Sequence, residues 1–272
     1  MESLSERMRK YEAVSCHYLI PRLPVILRID GQNFHMLTQK LQCAKPWDNN
    51  INLVMDKTAL TLCQKIVQNA RLAFIQSDEI NILINNYTTL QTQPWFDNKI
   101  NKIVSTSAAK TSVYFNHFWA QNTKDDVNPF ATFDCKAFNL PKDEVVNYFI
   151  ERQQDATRNS IQSYAQANFP HNALQNLNCS QLQNKLFEER GLNWNDLPVY
   201  LKRGRCVIKV GFHVNRIADL NIPGPHPPET KWIVDDNIPI FTENRNYIQR
   251  LVAEEWEYPF FAKETVDNAL QL

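Results

Sequence analysis

The apolar residues of this chain fall into short unbroken runs and longer periodic stretches. Residues 23–29 are almost wholly apolar and end at Asp30, the pattern of a buried strand. Residues 48–69 carry Ile51, Val54, Met55, Leu62 and Ile66 at helical spacing on one face. Residues 71–77 and 80–85 are two apolar runs separated by Asp78-Glu79, which predicts a hairpin with acids at its tip. A second long helix is predicted over 96–119, a further strand over 132–139 and a third helix over 142–167. A short amphipathic helix over 2–15 precedes them.

The resulting order is strand, helix, strand, strand, helix, strand. It matches an α+β ferredoxin-like (split βαβ) sheet, antiparallel and palm-like as in polymerases, with helices packed on one face. The chain changes character near residue 170, so residues 1–170 are expected to form the catalytic layer. Residues 171–272 form a C-terminal extension that packs on that layer or on a neighbouring subunit. Within the extension, 172–194 is rich in Asn and Gln and reads as short helices and loops. Residues 199–210 read as a strand or hairpin, 223–228 as a proline-stiffened connection, 232–241 as a strand and 244–256 as a closing helix.

Composition narrows the chemistry. The 272 residues include only 5 glycines and contain neither Gly-x-x-x-x-Gly-Lys nor Gly-x-Gly-x-x-Gly, which argues against P-loop and Rossmann sites. A formal net charge of +0 is not that of an electrostatically driven nucleic-acid binder. A local basic face is still available from Lys202, Arg203, Arg205 and Lys209. The 6 cysteines show no metal-site spacing and read as reduced thiols of a cytoplasmic protein. Residues 1–11 lack the apolar core of a signal peptide, and no apolar run reaches membrane-spanning length. Trp95, Phe96, Tyr114, Phe115, Phe118 and Trp119 concentrate aromatic surface on and before the second long helix, where core packing is the simpler reading than base stacking.

Two stretches carry the candidate chemistry: Arg28-Ile29-Asp30-Gly31-Gln32-Asn33-Phe34-His35 and Gln76-Ser77-Asp78-Glu79. Each places an acid at the end of a predicted strand. Asp-Gly alone is first a turn signal. Two carboxylates on neighbouring strand ends, however, can also grip divalent metal for phosphoryl or nucleotidyl transfer. The turn after Gly31 is expected to offer the backbone amides of Gln32, Asn33 and Phe34 to phosphate oxygens.

Taken with Ala44-Lys45-Pro46-Trp47-Asp48 between them, these motifs resemble the tRNA-His guanylyltransferase superfamily, over roughly residues 1–210. That resemblance implies nucleotide addition at the 5′ end of tRNA in the 3′-to-5′ direction. It implies catalytic residues Asp30, Asp78 and Glu79, with two Mg²⁺ ions held by Asp30, Asp78 and the Gly31 carbonyl. Nucleotide contacts fall to Gly31, Gln32, Asn33, Phe34, His35, Lys45, Asp48 and Ser77, with ATP and GTP or another nucleoside triphosphate as substrates. His35 on its own reads equally as a packed residue at a strand-to-helix turn. Lys99, Lys136, Arg152 and Asn159 are candidates for a second site that activates the RNA 5′ end. The family also implies a homotetramer, a dimer of dimers, with tRNA spanning subunits and no membrane partner.

Dedicated guanylyltransferases carry His-Ile-Asn-Asn-Leu-Tyr-Asn on the third helix. Here Arg152-Gln153-Gln154-Asp155-Ala156-Thr157-Arg158-Asn159 follows a different course, with Thr157 in the place of the His. The chain is therefore more similar to the guanylyltransferase-like branch, whose members repair 5′-truncated tRNA against a template. Rival readings are a dedicated tRNA-His guanylyltransferase, a palm-type nucleotide cyclase and a non-catalytic RNA-binding module.

Overall fold

In the computed structural model, which describes residues 2–123, 129–212 and 229–253, six strands are laid down in chain order. They are β1 (Val25–Gly31), β2 (Ala70–Gln76), β3 (Glu79–Ile84), β4 (Phe133–Asn139), β5 (Arg205–Phe212) and β6 (Glu229–Asp235). They form one antiparallel sheet in the order β4-β1-β3-β2-β5-β6. The first four strands have the ferredoxin-like order the sequence predicts. β5 and β6 continue the sheet beyond β2.

Alternation along the strands sorts side chains into two cores. Val25, Leu27 and Ile29 of β1 join Ile80, Ile82 and Ile84 of β3 beneath α3 (Asn49–Thr61) and α4 (Ile100–Asn122). Ile26, Leu72, Phe74 and Leu83 face the other way, under α5 (Val145–Asn168) and α8 (Asn246–Val252). The two crossover helices α3 and α4 do share one face, but helices cover the second face as well. That is why every residue of β3 is buried, the polar Glu79 and Asn81 included. Each such Ile or Leu contributes about 1.5–3 kcal/mol by leaving water. The aromatic concentration largely serves the first core: Phe115 and Trp119 are buried there, and Phe34 packs edge-on to Phe115 at 5.4 Å.

Several elements depart from the expected boundaries. The N-terminal helix α1 (Leu4–Ala13) is shorter than predicted and starts at a capping box in which Ser3 and Glu6 exchange hydrogen bonds. Asn33, in the left-handed region, opens an additional helix α2 (Phe34–Lys40) directly after β1. Residues 199–210 begin as the helical turn α7 (Val199–Arg203) and become a strand only at Arg205. Gly204 (φ +81) makes that switch, because a Cβ there would meet the Ile75 carbonyl at 2.7 Å. Before it, α6 (Cys179–Arg190) packs Leu182 and Leu186 against Ile161 and Ala165 of α5. Residues 223–228 lie outside the described residues, as does the chain beyond 253. Among the described residues no helix is long and apolar enough to cross a membrane, and the six cysteines are free thiols.

Candidate functional site

At one end of the sheet, β1 delivers Asp30 and the β2–β3 turn delivers Asp78. The turn is tight: Gln76 pairs with Glu79, leaving Ser77 and Asp78 at its tip. Ser77 takes a positive φ of 50°, strained for a residue with a side chain, and its hydroxyl donates to Asp78 Oδ1 at 2.8 Å. Gly31 is obligatory for steric reasons: a Cβ there would lie 2.7 Å from Asp78 Oδ2 and 2.4 Å from the Phe34 ring.

Both aspartates line one cavity of about 670 Å³, bounded by α2, the 43–48 loop, the start of α3, α5 and α7. Burial, reinforced by the charges of Asp30 and Glu79, pushes the Asp78 carboxyl from its ordinary value of 3.8 up to about 6. Asp30 is raised too, by burial first and then by the Glu79 and Asp134 charges. Asp134 lies directly across from Asp30 on β4. Two carboxylates lining one half-dry cavity, with the Gly31 backbone against one of them, favour positive charge there. Among the described residues no three His, Cys, Asp or Glu side chains converge as a closed cage. Mg²⁺ needs none: one or two carboxylates suffice, with water and phosphate oxygens completing its shell. The donor set of Asp30, Asp78 and the Gly31 carbonyl therefore fits the ion the sequence implies.

Glu79 has a different employment. Only 7% exposed, it accepts Arg28 Nη2 at 2.5 Å and Asn81 Nδ2 at 2.7 Å, with Arg152 Nη1 at 3.4 Å from each oxygen. Its carboxylate is committed to two guanidinium groups, so it anchors cations rather than standing open as a third metal ligand.

The cavity gathers His35, Lys45, Asp48, Ser77 and Asn159 from the sequence-predicted set. Asp48 caps α3 through the amides of Asn50 and Ile51 and also accepts the Ala44 amide at 2.9 Å, which closes the loop bearing Lys45. Trp47 stacks on Tyr164 of α5 at 5.6 Å and ties that loop to the opposite wall. Asn159 donates to Asp155, another cavity residue. The amides of Asn33 and Phe34 begin α2, outside its hydrogen-bond ladder. The Gln32 amide is not available with them, because it donates to the Thr132 carbonyl at 2.8 Å. The Phe34 side chain is core.

The three cations expected at an activation site do not line this cavity. Arg152 is buried below it, bound to Glu151, Glu79 and Asp155. Lys136 lies across from Arg28 on β4. Lys99 bridges to Tyr18 before α4, near the sheet end opposite Asp30, because the β3-to-α4 connection leaves from that end. The basic cluster 202–209 also fails to form one outer face. Arg205 turns inward onto Asp56 and the Asn52 carbonyl, while Lys202 donates to the Asn195 carbonyl. Sequence reasoning missed Arg28 and Arg205 as cavity residues. Arg28 stood two places before Asp30, hence on the same strand face, and that spacing was the available signal.

Comparison with known proteins follows the same lines. A family model described as tRNAHis guanylyltransferase matches residues 5–141. The tRNA(His) guanylyltransferase of Saccharomyces cerevisiae is 25% identical over 219 residues, 75% of this chain and 90% of that protein. Among solved structures, a bacterial tRNA(His) guanylyltransferase (Thg1)-like protein in complex with ATP superposes with a TM-score of 0.82. It is 43% identical and the match covers 93% of this chain and 100% of that one. A corresponding complex with GTP gives a TM-score of 0.77 at 41% identity, covering 92% and 99%.

Proposed function

The chain belongs to the tRNAHis guanylyltransferase family, and from that premise we propose that it extends the 5′ end of truncated tRNA in the 3′-to-5′ direction, using the opposite strand as template. Nucleotide addition to tRNA is the family's reaction. The observation that carries the mechanism is the pair Asp30 and Asp78, brought to one cavity at adjoining strand ends with both carboxyls raised by burial. Likeness to bacterial ATP- and GTP-bound proteins supports nucleoside triphosphates as substrates. Thr157 in place of the His of dedicated guanylyltransferases supports the repair branch.

In the first step a 5′-phosphate oxygen of the RNA attacks the α-phosphorus of ATP and pyrophosphate leaves. In the second, the 3′ hydroxyl of an incoming nucleoside triphosphate attacks the adenylylated 5′ phosphorus, loses its proton, and releases AMP. A triphosphate left on the new end supplies the leaving group for the next addition. Asp30, Asp78 and the Gly31 carbonyl would hold Mg²⁺, which supplies acidification of the attacking hydroxyl and neutralisation of phosphate charge. Arg28 offers a fixed fork of donors to phosphate oxygens beside Asp30, and Lys45 a point charge. The amides of Asn33 and Phe34 add two further donors. His35 and Asp48 flank the nucleotide, and Ser77 holds Asp78. Base pairing in the acceptor stem supplies selectivity without any sequence-reading motif.

Nucleotide incorporation at the 5′ end of a tRNA lacking its first residue tests this reading. The reaction needs Mg²⁺, ATP and all four triphosphates, beside the Asp78→Ala variant. Template-matched addition lost in the variant supports it. Addition of G alone, on tRNA-His alone, replaces it with dedicated guanylylation; cyclic nucleotide formed without RNA replaces it with a cyclase.

A further inference from the structure

Arg28 lines the cavity on the same sheet face as Asp30, and Glu79 holds it by one nitrogen only. A guanidinium carries five N–H donors, so a single contact leaves most of the fork for a ligand. The natural pairing of arginine with a carboxylate is bidentate, and that pairing would turn the fork away from the cavity. Something must keep the second oxygen of Glu79 occupied.

Arg152 Nη1 stands at 3.4 Å from both oxygens, and the close partner of the second one is Asn81. Fully buried and directly across from Arg28 in the β1–β3 register, it donates Nδ2 to Glu79 Oε1 at 2.7 Å. Tyr148, descending from α5, donates its hydroxyl to Asn81 Oδ1 at 2.6 Å. This bond fixes the amide with its nitrogen toward Glu79 and its oxygen away. The Tyr148 ring is itself wedged edge-on between Phe138 at 5.7 Å and Phe149 at 5.4 Å. Burial raises the phenol far above its ordinary range, so it remains a donor.

We propose that Asn81 and Tyr148 are positioning residues: by occupying Glu79 Oε1 they hold Arg28 monodentate and aim its remaining donors at the phosphate chain of a bound nucleotide. The inference rests on the reading that this cavity takes a nucleoside triphosphate, and it extends the catalytic set to a relay of residues reaching from α5 across β3 to β1. Loss of Asn81 lets Arg28 close on both oxygens of Glu79 and withdraw from the cavity.

A double-mutant cycle in ATP affinity separates this role from a merely structural one. Equilibrium binding of ATP with Mg²⁺ is measured for the wild type, Asn81→Leu, Arg28→Met and the double variant, with folding checked by circular dichroism. Asn81→Leu should weaken ATP about tenfold, the scale of one charge-assisted hydrogen bond. In the Arg28→Met background the same substitution should change nothing further. Equal weakening in both backgrounds, or none in either, overturns the proposal. Should Asn81→Leu not fold, Tyr148→Phe keeps the ring and removes only the hydroxyl. It should weaken ATP about threefold, again only when Arg28 is present. ATP binding needs no RNA, so failure of templated addition leaves this outcome separately readable.

Discussion

Asp78 costs the metal-free protein stability, and replacing it by asparagine should reveal how much. Its carboxyl titrates near 6 in the folded state against 3.8 ordinarily, because burial disfavours the charged form. Between those two values the folded protein retains a proton that the unfolded chain has released. Stability therefore falls as pH rises through that window, and the full cost is present above it. A shift of about two units corresponds to roughly 3 kcal/mol at about 1.4 kcal/mol per unit, and relaxation around the turn reduces it to about 1–3 kcal/mol. Asparagine keeps the oxygen that accepts the Ser77 hydroxyl and removes the charge. With chelator at pH 7.5, Asp78→Asn should melt about 2–12 °C above wild type, at about 2–4 °C per kcal/mol for a chain of this size. The difference should shrink as pH falls from 6 toward 4. Added Mg²⁺ should raise the wild-type melting point and leave the variant nearly unmoved. A variant that melts at or below wild type in chelator at pH 7.5 would refute the account of a strained, desolvated metal carboxylate.

Three further outcomes test the packing around the site. Arg205→Met leaves Asp56 buried beside no guanidinium and should cost about 3–5 kcal/mol in denaturant unfolding, with Asp56→Leu in the same chain restoring most of it. Gly31→Ala drives a methyl into Asp78 Oδ2 and the Phe34 ring; nucleotide addition should fall about a hundredfold, as for a misplacement near 1 Å, while the melting point moves far less. Ser77→Gly relieves the positive φ but removes the donor to Asp78. It should raise stability by about 0.5–1 kcal/mol in chelator at pH 4.5, where that carboxyl is mostly neutral, and lower activity at pH 7.

Much of the sheet, and the two acids at its end, was legible in the sequence. Strand runs ending at Asp30 and Asp78, helical periodicity between them and tight turns at both acids are local signals, and local signals survive in a linear chain. They specify a ferredoxin-like sheet and which two carboxylates stand at its end. The tertiary structure alone decided how the other charges are employed. Glu79 and Asp78 are adjacent in sequence and both line the cavity, yet Glu79 is engaged by Arg28 and Arg152 while Asp78 is bonded to Ser77, because β3 begins between them and aims Glu79 at the α5 face. Arg152, expected at an activation site, lies beneath the cavity instead, since its helix turn points at Glu79. Arg205 reads as part of an exposed basic run until Gly204 reverses the chain and β5 turns it inward to Asp56. Lys99 is fixed far from Asp30 by the connection leaving the opposite end of the sheet. Which charges meet is set by register and by the ends from which connections depart, quantities that link residues far apart in sequence and that no short window of residues encodes.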